Sequence, residues 1–154
     1  MPPAAPPENA NQNAAVPPVP SLPLAWRHFA GFQSYEPLLA EMQDHVNAIR
    51  QNAAAEAVWL LEHEAVYTSG TSAKPHDILA PGNVPISHVG RGGQWTWHGP
   101  GQRVAYVMLD LSRRGQDVRA LVHGLESWII ASLAAFGIAG QRRNGLPGLW
   151  VKNG

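Results

Sequence analysis

The run from Arg91 to Gln102, Arg-Gly-Gly-Gln-Trp-Thr-Trp-His-Gly-Pro-Gly-Gln, sets two glycine-rich turns on either side of one short strand. Without Cβ atoms, Gly92 and Gly93 let the backbone take positive φ and bring its N–H groups close to a bound molecule. Pro100 stiffens the second turn. Between the turns Gln94 to His98 alternates strictly, so period-two geometry sends Trp95 and Trp97 to one face and Gln94, Thr96 and His98 to the other. One strand thus carries an aromatic wall and a polar row. The reading that needs no ligand is a tight hairpin with two core tryptophans.

Around that stretch the chain has 154 residues, enough for one domain with a modest core. Eleven basic and eleven acidic residues cancel, and only 14% of residues are charged, so the composition suggests no nucleic-acid footprint, and no nucleic-acid partner is expected. There are no cysteines, hence no disulfide, no thiolate metal site and no cysteine nucleophile within these residues. No apolar run has membrane-spanning length, and no stretch has the pattern of a secretory signal, so a cytoplasmic protein with no membrane contact is the expectation. His63-Glu64 resembles the start of a zinc-protease helix, but Tyr67 stands where the second histidine belongs, and the remaining histidines show no ligand spacing; no metal is expected. Gly70-Thr71-Ser72-Ala73-Lys74 lacks the second glycine of a phosphate loop.

Residues 1–22 are rich in Pro, Ala and Asn with Glu8 as their only charge, a composition that predicts a disordered extension. A first strand is expected over Leu24–Phe29. A helix follows, capped by Ser34 and with Pro37 in its first turn, whose Tyr35, Leu38, Leu39, Met42, Val46 and Ile49 share a face. Ala57–Leu61 reads as a buried strand and Ile86–Val89 as a short one. Arg103–Leu111 is apolar on both faces, which predicts a central strand covered on both sides. Asp117 caps a long helix with Val118, Leu121, Val122, Leu125, Ile129, Leu133 and Phe136 on one stripe, extended by Trp128, and Gly137 at its stop. Gln141–Pro147 reads as a loop and Leu149–Val151 as a further strand. Asn153-Gly154 then gives a hairpin-turn signal with no returning strand, which predicts an unpaired apolar edge.

Two stretches carry a resemblance to a known family. Arg91–Gln102 is similar to the signature of the lipoyl(octanoyl) transferases, Arg-Gly-Gly-(Gln/Lys)-(Val/Ile)-Thr-(Tyr/Trp)-His-Gly-Pro-Gly-Gln, with Trp95 larger than the usual Val or Ile. Glu62-His63-Glu64-Ala65-Val66-Tyr67-Thr68-Ser69-Gly70 resembles the family's Glu-His-x-x-Val-Tyr-Thr-x-Gly segment. The resemblance runs from about Trp26 to Val151. It implies an α+β fold, a mixed and mostly antiparallel sheet flanked by helices like the catalytic domain of biotin and lipoate protein ligases, here incomplete at its C-terminal end. Residues 23–154 would then be the N-terminal two-thirds of an octanoyltransferase-like catalytic domain.

In that family an octanoyl group passes from octanoyl-acyl carrier protein, by way of an acyl-cysteine thioester, to a lysine on the lipoyl domains of 2-oxoacid dehydrogenases or on the glycine cleavage H protein. A thioester is already activated, so no cofactor or ATP is implied. The resemblance assigns substrate binding to Arg91, Gly92, Gly93, Gln94, Trp95, Thr96, Trp97 and His98, with His63 as an accessory residue. No catalytic residue is expected in this chain: the family's lysine run and its Pro-Cys-Gly motif are both missing, and Lys152 comes too early to stand in for the first. A fragment of a longer enzyme is therefore the expectation. Two alternatives stay open: a ligase-like adenylating enzyme, whose usual Arg-Arg-x-x-Gly-Gly-Gly run differs from this one, and an inert fragment that acts at most as a ligand-binding module. The paired arginines Arg113-Arg114 and Arg142-Arg143 are candidates for docking an acidic carrier, against the plainer reading of solvated loop charges.

Overall fold

The computed structural model describes residues 23–143 and 145–151. The expected disordered extension 1–22 and the Asn153-Gly154 turn signal lie outside the described residues. The elements run β1 (Leu24–Gln33), α1 (Tyr35–Arg50), β2 (Glu56–His63), β3 (Val66–Ser69), β4 (Ile86–His88), β5 (Trp95–His98), β6 (Val104–Met108), α2 (Val118–Ala134), β7 (Gly140–Arg143) and β8 (Leu146–Val151), with short 3-10 turns at Pro75–Asp77 and Leu111–Arg114. This is the α+β mixture the sequence implied.

The first sheet has the order β1-β2-β6, with β1 parallel and β6 antiparallel to β2. Two apolar faces make β2 the middle strand: Ala57, Val58, Trp59 and Leu61 are all buried. Strand β1 runs four residues beyond the expected Phe29, through an irregularity between His28 and Phe32 where Gly31 takes φ +67°. It ends with Gln33 beside His63, so the ends of β1 and β2 arrive together. The α1 stripe packs as its spacing predicts. Leu38 and Ile49 are buried with Ala57, Trp59, Leu61 and Met108, while Met42 and Val46 pack around them. Ser34 holds the N-cap position, but its hydroxyl donates to Glu64 Oε2 at 2.5 Å instead of capping the helix.

The second sheet, β4-β3-β5, has β4 parallel and β5 antiparallel to β3. Its antiparallel pair sets Thr68 opposite Thr96 and Val66 opposite His98. The signature strand is thereby hydrogen-bonded to the segment that follows His63.

Three expectations need correction. Strand β6 is apolar on both faces, yet it lies at the edge of its sheet among the described residues, because β2 takes the centre with partners on both sides. The α2 stripe is not buried. Asp117 caps the helix by accepting from the Ala120 N–H, and Gly137 at φ +72° follows its end, but no residue of α2 is buried. The helix does not close down on the facing strand: an open cavity of about 510 Å³ lies between Leu60, Ala105 and Val107 on one side and Leu125, Trp128, Ile129 and Leu133 of the helix, with Phe136 beyond its end, on the other. Trp26 against Trp128 edge-on, with centroids 5.8 Å apart, and Arg142 on Glu126 at 2.8 Å tie the helix to its neighbours. Finally, Gln141–Pro147 is not a loop. Arg143 pairs with Leu146 and Gly145 takes φ +75°, so β7 and β8 are antiparallel partners in a hairpin.

Near the start of β2, Glu56 is buried and forms an ion pair with Arg114; its Oε1 also accepts from the Asp110 N–H at 2.7 Å. The hydrogen bond from Arg114 holds the carboxyl below its ordinary value of 4.5, against the opposing effect of burial. Arg114→Met is expected to cost about 3 kcal/mol in urea unfolding at pH 7, because it strands a buried carboxylate. A lowered folded value means that this stability is complete above pH 4.5 and is lost as pH falls through the folded value. The difference between wild type and variant should therefore narrow in acid.

Candidate active site

Arg91 fastens the glycine turn to the second sheet. Its Nη2 donates to Thr68 Oγ1 at 2.8 Å, Thr96 Oγ1 at 2.9 Å and the Thr68 carbonyl at 3.1 Å, and its Nη1 to the Gly92 carbonyl at 3.0 Å. Three backbone donors hold the turn from the other side: Gly70 N–H to Gln94 O (3.1 Å), Thr71 N–H to Arg91 O (2.9 Å) and Ser72 N–H to Gly93 O (3.1 Å). Gly70 is essential to this contact, since a Cβ there would stand 2.4 Å from the Gly93 oxygen and 2.7 Å from the Gly92 oxygen. Gly93 has φ +88°, where side chains are strained, whereas Gly92 has open space around it. Gln94 is exposed at the end of the turn.

Along β5 the alternation holds. Thr96 reaches Arg91 and His98 reaches toward α1, while Trp95 and Trp97 occupy the other face. The Trp95 indole donates to the Lys74 carbonyl at 2.8 Å, and the Trp97 ring lies over Gly99, where a Cβ would come within 2.3 Å of it. The open cleft beside Arg91, about 670 Å³, is lined instead by Tyr35, Leu39, Met42, Val89 and Tyr106 among others, with Glu36 as its carboxylate. Arg91 is the part of the signature that the structure brings to this cleft together with Gly90; neither tryptophan lines it.

His63 and His98 do meet, with ring centroids 5.8 Å apart. His63 is fully buried at the end of β2, its Nδ1 2.9 Å from the Gln33 carbonyl and its Nε2 2.8 Å from the Tyr106 hydroxyl. Burial lowers its basicity, with the Gln33 carbonyl acting in the opposite sense. His98 stacks on Tyr35 with planes 11° apart and centroids 6.2 Å apart, and its Nδ1 lies 2.6 Å from Gln102 Oε1. Burial raises both tyrosine hydroxyls, Tyr106 far more than Tyr35, for which Arg91 works the other way. The result is a cluster of two imidazoles and two phenols beside an arginine, in which Tyr106 is hydrogen-bonded to His63 and Tyr35 is stacked on His98.

Sequence reasoning gave no role to Tyr35, Tyr106, Gln102 or Gly70. The signal for Tyr106 was the alternation in its strand, which put a hydroxyl on an otherwise apolar row; Gly70 was visible as the last residue of the family-like segment Glu62–Gly70, without a stated role. The paired arginines are used internally. Arg114 pairs with Glu56, Arg113 with Asp110 and Asn52, Arg142 with Glu126, Ser127 and the His123 carbonyl, and Arg143 lies over the Trp150 ring. Among the described residues no three of His, Cys, Asp and Glu gather in a metal-binding group, and no helix is long and apolar enough to cross a membrane.

The family described as the lipoyl protein ligase A/B catalytic domain matches residues 34–154. Among curated proteins, the octanoyltransferase of Chelativorans sp. is 55% identical over 141 residues, 92% of this chain and 57% of the relative. That of Cereibacter sphaeroides is 56% identical over 126 residues, 82% of this chain and 58% of the relative, and that of Rhodospirillum rubrum 54% identical over 131 residues, 85% and 61%. The chain spans a little over half the length of these relatives.

Gly70→Ala is expected to lower stability by about 1–3 kcal/mol, as overpacking does. Gly92→Ala, which meets nothing within 4 Å, should stay close to wild type. Paired thermal unfolding curves check the contrast.

Proposed function

The chain belongs to the lipoyl protein ligase A/B catalytic-domain family, and from that premise we propose that it is the substrate-binding part of an octanoyltransferase. The reaction is the transfer of an octanoyl group from octanoyl-acyl carrier protein to a lysine of lipoyl domains or of the glycine cleavage H protein, through an acyl-cysteine thioester. Neither the cysteine nor its partner lysine is among these residues. The observation that carries the reading is the Arg91-fastened double-glycine turn at the edge of a mainly apolar cleft, next to the His63–His98 pair.

The parts divide the work as follows. Leu39, Met42 and Val89 give the acyl chain a wall, and burying an eight-carbon chain is worth about 5 kcal/mol gross at about 0.8 kcal/mol per CH₂. Gly92 and Gly93 let backbone run beside the thioester. Arg91 keeps that backbone in place while Thr96 and Gln94 fix the ends of the turn. His98, with His63 and the tyrosines behind it, orients polar groups at the reacting carbonyl. Trp95 and Trp97 brace the strand from its other face. The names of the relatives favour this reading over an adenylating ligase, as does the absence of the Arg-Arg-x-x-Gly-Gly-Gly run.

The test is growth. Read in frame to the length of its relatives, the gene is expected to restore lipoate-independent growth to bacteria lacking their own octanoyltransferase. Gly93→Val should lower octanoyl loading, followed by mass spectrometry, by about 100-fold, the scale of a misplacement of about 1 Å. A stop codon directly after Gly154 would sink the enzyme claim, and normal loading of Gly93→Val would sink the pocket. Loading that consumed ATP and free octanoate would turn the conclusion to a ligase.

A further inference from the structure

We infer that Gln102 is a positioning residue that fixes His98 as its Nδ1–H tautomer, so that Nε2 meets a bound substrate as a hydrogen-bond acceptor and selects an N–H donor there over a carbonyl. The argument starts from the amide. Gln102 closes the Gly99-Pro100-Gly101 turn by donating its backbone N–H to the Gly99 carbonyl at 3.0 Å, which brings its carboxamide back over the end of β5. One end of that carboxamide lies 3.3 Å from the Trp97 carbonyl oxygen, which only accepts; this end is therefore the NH₂. The other end is the oxygen, 2.6 Å from His98 Nδ1, and an amide oxygen also only accepts. Nδ1 must carry the hydrogen, and in a neutral imidazole Nε2 then holds the lone pair.

His63 provides the contrast. The Gln33 carbonyl fixes it in the same tautomer, but its Nε2 already accepts from Tyr106. Of the two facing histidines, His98 is the one whose Nε2 has no hydrogen-bond partner among the described residues. Nor is it among the buried side-chain atoms left without one, a description that applies only to Ser87 Oγ among those residues, so the atom reaches solvent. The turn that carries Gln102 is held independently of His98. The Gly101 N–H donates to Glu62 Oε2 at 2.9 Å, and Glu62 also pairs with Arg103 at 3.4 Å. On the octanoyl-transfer reading, on which this last step rests, the donor is the amine N–H of the acceptor lysine.

Long-range ¹H–¹⁵N NMR correlations on the labelled chain, recorded at alkaline pH where imidazoles are neutral, read the tautomer of each of the seven histidines directly. His98 is expected as Nδ1–H in the wild type and in Gln102→Glu, which keeps an acceptor oxygen. Gln102→Leu should move it to predominantly Nε2–H. His63 is expected as Nδ1–H in all three, which reports that the fold is intact. An Nε2–H His98 in the wild type overturns the inference, and so does an unchanged His98 in a folded Gln102→Leu. If the Leu variant loses the His63 signature, the wild type and Gln102→Glu decide: Nδ1–H in both supports the assignment, Nε2–H in either overturns it. None of these readouts depends on acyl transfer, so the tautomer stands or falls apart from the enzymatic reading.

Discussion

The fold depends on β2 being apolar on both faces. A strand like that must have a sheet partner at each edge and a layer over each face, because it brings a full set of peptide groups into a place without water. Its edges are taken by β1 and β6, and α1 covers one face closely. Its last residue is not apolar at all. His63 continues the strand into the interior as a fully buried imidazole, satisfied at both nitrogens by Gln33 and Tyr106. The scaffold and the site therefore share one backbone segment, and the rigidity of the first is handed to the second through a single residue.

The site uses polarity with little net charge. Arg91 is held by threonine hydroxyls and backbone carbonyls, with no carboxylate within ion-pair distance among the described residues. Neutral acceptors hold a guanidinium in place without cancelling its field, which remains available to a ligand. Beside it His63 is hydrogen-bonded to Gln33 and Tyr106, and His98 to Gln102, with the Tyr35 ring stacked on His98. Such a network is costly when one member is missing, because each partner left behind is a desolvated polar group without a bond.

What could be read from the sequence followed from period and punctuation. The α1 stripe, the buried run Ala57–Leu61, the Asp117 cap and the alternation of Trp95 to His98 were all legible, because each is a local rule applied to neighbouring residues. Three features were not. The Ser34 hydroxyl goes to Glu64, thirty positions away, in preference to its own helix, a competition that no local rule decides. The edge position of β6 follows from the pairing order, whereas its composition speaks only of covered faces. The hairpin over β7 and β8 was missed because Arg142 and Arg143 give β7 the composition of a loop, although Asn144-Gly145 carried the same turn signal that was noticed at Asn153-Gly154. In the site, the signature residues were legible, Gln102 among them as a residue without a stated role, but the contacts of Tyr35, Tyr106 and Gln102 were not, since they exist only where β2, β5, β6 and α1 converge.

The open space beneath α2 bears on how stability varies with temperature. Unfolding raises the heat capacity chiefly by exposing apolar surface, by about 12–15 cal/mol/K per residue in an ordinary domain. In this chain Val118, Val122, Ile129 and Phe136 are already in contact with water in the folded state. Melting the helix exposes less new apolar surface than melting one whose apolar stripe is fully buried, so its share of the heat-capacity change is smaller. This helix therefore adds less curvature to the dependence of stability on temperature than one packed along its whole apolar stripe.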